Sequence, residues 1–167
     1  MGIGFRVSGR SVMAALAAAA IVALALTGCS MMGMGGPKPT QVSGAIVASA
    51  KINPSVNQRP SPLLVRVYEL KTATAFNSAD FVSLYQRDQA ELGAEVVTRE
   101  ELTLAPGESR PYNKTLQPET RFIAVFAAYR DLERANWRAV TAVQVGQKQK
   151  ITIKADELSV SATVEKP

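Results

Sequence analysis

Few side chains in this 167-residue chain could do chemistry, and their types narrow the options quickly. There is no histidine. That removes the Ser-His-Asp and Cys-His relays, the commonest metal ligand and the usual base near neutral pH. Carboxylate pairs are the remaining acid–base option. Glu100 and Glu101 are adjacent, and neighbours on a strand face opposite sides, so they cannot share a substrate. Asp131 and Glu133 lie within YRDLERANW, a surface-turn composition, and Asp80 reads as a charge at a helix N-terminus. Met31, Met32 and Met34 are soft enough for a metal but stand without other soft ligands. No Gly-rich phosphate loop is present. The expectation is a protein that is not an enzyme and carries no cofactor or metal. Cys29 is the one thiol, and it could be a buried apolar group, a nucleophile, a ligand or an attachment point.

What precedes Cys29 separates these options. Arg6 and Arg10 form a positive stretch, and Ser11 to Leu26 is an uncharged, almost wholly apolar run. At about sixteen residues the run is short of the ~20 needed to span a bilayer, and small residues follow it. Residues 1–28 therefore read as a cleaved secretory signal. Leu26-Thr27-Gly28-Cys29 resembles the lipobox of bacterial lipoproteins. The resemblance implies that the Cys29 thiol is acylated and becomes the new N-terminus. One acyl chain anchors only marginally, whereas two or three hold a protein on a membrane. Ser30 is not the Asp that commonly retains such proteins in the inner membrane, which favours the outer membrane.

Without residues 1–28 the chain carries seventeen Lys and Arg against fourteen Asp and Glu, a net charge of +3. Spread over a domain, that is no nucleic-acid footprint. Lacking a second Cys, the fold must rest on apolar burial. Residues 29–41 hold the acylated Cys and a Gly- and Pro-rich stretch without hydrophobic period, a flexible tether.

Residues 42–167 read as one domain of short strands. PLLVRVYEL (62–70) alternates, with Leu63, Val65 and Val67 on one face and Leu64, Arg66 and Tyr68 on the other. RFIAVFAAY (121–129) is apolar on both faces, as in a central strand. ESRPYNKTL (108–116) is expected to pair with 94–104 as a hairpin across Ala105-Pro106-Gly107, and Pro111 places it at a sheet edge. Strands are also expected over 43–52, 137–145, 149–155 and 158–164. Only NSADFVSLYQRDQAELG (77–93) breaks the rhythm. Ser78 is the expected N-cap there, Phe81, Leu84 and Tyr85 form one apolar face, and Gly93 is the C-cap. The fold expected is mostly β, a two-sheet antiparallel sandwich with a short helical insertion.

One loop stands out. KINPSVNQRPSP (51–62) holds three Pro, and a loop that Pro stiffens loses less entropy on binding. Taken with the lipobox, Asn53-Pro54, Arg59-Pro60-Ser61-Pro62, Val67-Tyr68-Glu69-Leu70, Asp80-Phe81, Leu84-Tyr85 and Leu104-Ala105-Pro106-Gly107 resemble the TssJ (VasD) lipoproteins of type VI secretion. The resemblance covers nearly all of the chain after Cys29. It implies a transthyretin-like sandwich on the periplasmic face of the outer membrane, bound to the periplasmic C-terminal region of a TssM-type inner-membrane protein. It also implies that the loop makes that contact, through Asn53, Pro54, Asn57, Gln58, Arg59, Pro60 and Ser61. Two other readings of the residues stay open, a lipoprotein that binds a small ligand or glycan and a pilotin-like chaperone.

Overall fold

The computed structural model describes residues 1–4 and 36–166; the signal, Cys29 and most of the tether lie outside them. The chain divides into residues 1–36 and 37–167, and the second unit carries the fold. Among the described residues, eight strands form two four-stranded sheets. They are β1 (Gln41–Ala48), β2 (Leu63–Leu70), β3 (Val96–Leu104), β4 (Ser109–Thr115), β5 (Phe122–Ala127), β6 (Arg138–Ala142), β7 (Lys148–Ala155) and β8 (Val160–Glu165). Sheet order is β4-β1-β7-β8 in one and β3-β2-β5-β6 in the other. The expected sandwich is present, and five of its six pairings are antiparallel; β1 and β7 run parallel. Alternation sets what faces inward. Val42 and Ile46 of β1, Leu63, Val65 and Val67 of β2, Ile123 and Val125 of β5, and Ile151 and Ile153 of β7 fill the space between the sheets.

Two expectations are corrected. The turn at 105–108 does not make a hairpin: β3 pairs with β2 and β4 with β1, so the chain crosses from one sheet to the other. Gly107 takes φ 75°, and its N–H donates to Ser49 O at 3.1 Å, beyond the end of β1. Pro-Gly chemistry specifies a reversal but not which sheet receives the next strand. Pro111 does lie on an edge strand, β4. The second correction concerns the helices, α1 (Thr74–Ser78) and α2 (Phe81–Leu92). Asp80, not Ser78, is the N-cap of α2, with Oδ1 accepting from the Ser83 N–H at 2.9 Å and Oδ2 from Ser83 Oγ at 2.9 Å. The Ser78 hydroxyl is spent on the Thr74 carbonyl at 2.6 Å, closing α1. Gly93 is the C-cap, as expected.

The helices cover the outer face of the β2–β5 sheet, where Phe76, Leu84 and Leu92 pack on Tyr68, Leu70, Ala124 and Phe126. Arg66 fastens this cover. Its Nη1 donates to the carbonyls of Leu84 (2.7 Å) and Tyr85 (3.0 Å), beside a break in α2 at Arg87, and its Nε donates to Glu101 at 2.8 Å. Asp88 Oδ2 accepts from Tyr68 Oη and from Arg99 Nε, both at 2.7 Å. Burial opposes ionisation of Asp88, but these donors and the charges of Arg66 and Arg99 outweigh it and hold the carboxyl below its ordinary value. The Arg66 hydrogen bond does the same for Glu101.

Candidate partner-binding site

The loop between β1 and β2 is built on a buried base and an exposed tip. Ile52 is fully buried, and Asn53 is 3% exposed with φ 48°, a left-handed position that Asn tolerates better than most residues. Its Nδ2 donates to Pro62 O at 2.9 Å, across the mouth of the loop, and its Oδ1 accepts from the Arg130 N–H at 2.9 Å. Asn53 N–H donates to Glu157 O at 3.0 Å. One residue, through its side chain and its backbone N–H, thus ties its own segment to three others. Ser61, also buried, donates its N–H to Ile52 O at 3.1 Å. Within the tip, the Ser55 N–H donates to Arg59 O and the Gln58 N–H to Ser55 O, each at 2.9 Å, and Gln58 takes φ 59°. Hydrogen bonds and Pro54, Pro60 and Pro62 therefore stiffen the loop before any partner arrives.

The seven loop residues singled out in the sequence divide accordingly. Asn57, Gln58, Arg59 and Pro60 are exposed at the tip, Pro54 is half-buried, and Asn53 and Ser61 are buried and hold the frame. Asn53 and Ser61 face the protein's own loops, so any influence they have on a partner passes through the shape of the tip. Cys29 lies outside the described residues.

A second wall escaped the sequence reading. Residues 130–134, between β5 and β6, line one groove of about 790 Å³ with Pro54, Ser55, Val56 and Gln58. Its apolar surface comes from Val56, 96% exposed, and Leu132, 39% exposed, and its rim carries the Asp131–Arg134 ion pair at 2.5 Å. The available signal was the length and charge of YRDLERANW, which reads as a surface turn and is one. Nothing local says which loop it meets; the Asn53–Arg130 bond spans 77 residues.

The groove suits binding. It offers guanidinium donors, exposed apolar side chains and a preformed backbone, which are the ingredients of a protein contact. Among the described residues no group of His, Cys, Asp and Glu is arranged to hold a metal, and no helix is long and apolar enough to cross a membrane. An aromatic cluster lies under α2, where Phe81 stacks on Tyr85 at 5.8 Å and meets Trp137 edge-on at 5.4 Å.

The family model described as "Type VI secretion lipoprotein, VasD, EvfM, TssJ" matches residues 40–158, from the residue before β1 to the turn that precedes β8. This chain belongs to that family. A crystal structure of the type VI secretion lipoprotein TssJ1 from Pseudomonas aeruginosa is 36% identical, with TM-score 0.74, covering 77% of this chain and 98% of that one. A chain of a structure described as a type VI membrane complex is 25% identical, with TM-score 0.62, covering 72% of this chain and 95% of that one. A chain of a structure described as the TssM C-terminal domain (869–1107) from EAEC shares the fold at 24% identity and TM-score 0.56, covering 74% of this chain and 98% of that one. No curated protein matches. The family is one of outer-membrane-anchored structural lipoproteins of the type VI secretion membrane complex, not of enzymes.

Proposed function

We propose that this lipoprotein is the outer-membrane subunit that binds the periplasmic C-terminal region of a TssM-type inner-membrane protein. In this reading residues 1–28 are removed, Cys29 carries the acyl chains, the following residues to 41 are the tether, and 42–167 is the binding domain. The observation that carries the reading is the family match, which spans β1 to β7 and includes the 51–62 loop. The loop geometry supports it. β1 enters the sandwich at Gln41 and ends at Ala48, so the 51–62 loop and the 130–134 wall lie at the end opposite the tether. Eight residues of strand separate the ends by ~26 Å. An anchored domain therefore presents the groove away from its own membrane.

Calorimetric titration of the mature protein with the periplasmic domain of a TssM-type protein tests this. Wild type binds. Arg59→Ala leaves the unfolding free energy within about 0.5 kcal/mol, as for an exposed surface residue, and lowers affinity at least tenfold, as expected of a desolvated guanidinium. Replacing Asn57 to Ser61 with Gly and Ser residues abolishes the titration heat. Unchanged affinity in both variants would move the interface elsewhere, with α1 and α2 the next surface to examine.

A further inference from the structure

The end of the sandwich where the tether enters gathers several lysines, with Glu119 of the β4–β5 turn and Glu165 of β8 among them. Lys38, Lys148 and Lys166 line one groove of about 570 Å³, and two neighbouring grooves that share Lys148 add Lys114 and Lys150. Register explains the convergence: Gln41 is level with Lys148 across the parallel pair and with Thr115 across the antiparallel one, and Lys150 is level with Glu165. Lys114 is paired with Glu100, and Lys150 faces Glu165 across the ladder. No ion pair among the described residues involves Lys38, Lys148 or Lys166. The opposite end is balanced, with Lys51, Arg59, Arg130 and Arg134 set among Asp131, Glu133, Asp156 and Glu157.

The entry of the chain is also fixed. Thr40 is buried, its Oγ1 accepting from the Gly146 N–H at 2.9 Å and its carbonyl from the Leu116 N–H at 2.9 Å. Gln41 N–H donates to Gln147 O at 2.9 Å. Lys38 is thereby held beside Gly146, in the turn that precedes Lys148.

We infer that this lysine-bearing end is a membrane-facing surface that binds the anionic headgroups of the bilayer to which the tether is anchored. The inference rests on the anchoring read above, because Cys29 lies only nine residues before Lys38. Fully extended, that stretch reaches ~30 Å, and its flexible average is ~17 Å. Beyond a Debye length of about 8 Å the attraction is screened, so the anchor alone leaves the domain free to tumble. Once the lysines reach the surface, each multiplies the partition roughly fivefold, or about a hundredfold for three. Headgroup contact then orients the strands along the membrane normal and points the 51–62 loop into the periplasm. The anchor supplies attachment and the lysines supply direction.

The test separates the two. Mature-length protein bearing Cys29→Ser, and so without acyl chains, is sedimented with vesicles of neutral phosphatidylcholine or of phosphatidylcholine with one-third phosphatidylglycerol, at low and at physiological salt. Acylation of wild-type Cys29 is read independently by mass spectrometry of the membrane fraction, so failure of the anchor leaves the sedimentation result intact. The expected result is at least tenfold more binding to the anionic vesicles, falling with salt. Lys38→Ser, Lys148→Ser and Lys166→Ser combined bring it to the neutral-vesicle level. The matched-charge control, Lys51→Ser, Arg87→Ser and Lys154→Ser combined, keeps at least a third of it. Circular dichroism and the thermal midpoint verify that both variants are folded. Equal binding to the two vesicles, equal loss in both triple variants, or displacement from anionic vesicles by 10 mM inorganic phosphate at constant ionic strength would each overturn the inference.

Discussion

β2 and β7 are both eight-residue strands in the interior of a four-stranded sheet, yet they live in different surroundings. In β2, LLVRVYEL, both faces are covered: Leu63, Val65 and Val67 by the opposite sheet, Arg66, Tyr68 and Leu70 by the helices. In β7, KQKITIKA, Gln149, Ile151, Ile153 and Ala155 are buried, while Lys148, Lys150 and Lys154 stand on a bare face. The outer face of one sheet is sealed by an insertion that the other lacks. An antiparallel-rich sheet tolerates a wet face, provided its side chains alternate. The difference teaches that an arginine between apolar residues, as at Arg66, marks a covered face that needs polar fasteners, whereas lysines at every second position mark an open one.

The sharpest way to break this comparison is at Gly44 in β1. A Cβ there would sit 1.7 Å from the Ile151 carbonyl oxygen of β7, backbone that cannot step aside. Gly44→Ala is expected to cost on the order of 4 kcal/mol or more, read as loss of soluble folded protein or a collapsed denaturant midpoint. A near-normal midpoint would mean that β1 and β7 are not packed as described.

Next comes Arg66→Ala. It strips the fastener from the sealed face and leaves Asp88 and Glu101 with Arg99 as their remaining cation, at a cost of about 3–5 kcal/mol. Hydrogen exchange localises the damage: amides of Phe81–Leu92 lose protection first, while those of β7 keep theirs. Equal loss in both would show that the helices and the sandwich open as one unit.

Acid probes the same fastener more gently. The folded carboxyls of Asp88 and Glu101 titrate below their unfolded values near 4. Their contribution is complete above about pH 5 and is lost as the pH falls through the folded values. On acidification below that point α2 should loosen before β7, by the same exchange readout, and Asp88→Asn should blunt the acid step.

A smaller effect is expected at the loop base. Asn53→Ala removes the bonds to Pro62 O and from the Arg130 N–H and should cost about 1–3 kcal/mol. Asn53→Gly, which accommodates φ 48° freely, should lose less. Both should weaken binding of the TssM-type domain by freeing the tip, visible as a less favourable binding entropy in calorimetry.

Much of the strand pattern was legible because period-two alternation is local. The edge position of β4 could be read from Pro111, which cannot donate to a ladder, and the interior position of β5 from a run apolar on both faces. The cap of α2 was misread by two residues because Ser78 and Asp80 are both good caps, and the choice depended on where the Ser78 hydroxyl was already engaged. In the candidate site, the rigid tip could be anticipated from three prolines in twelve residues. The division of its residues could not, since Asn53 and Ser61 become framework only when β1, β2 and the 130–134 loop are brought together.

By itself the sequence determined which segments are strands, which faces are apolar, that no histidine chemistry is possible and that a lone cysteine follows a signal-like run. Those properties depend on residue type and spacing along the chain. Tertiary structure alone decided that β3 and β4 part company between sheets and that β1 lies parallel to β7. It also placed a distant turn as the second wall of the groove and gathered Lys38, Lys148 and Lys166 at the tether's end. Each of these is a contact between segments tens of residues apart, selected by how two sheets bury their apolar faces together, and no local pattern encodes that choice.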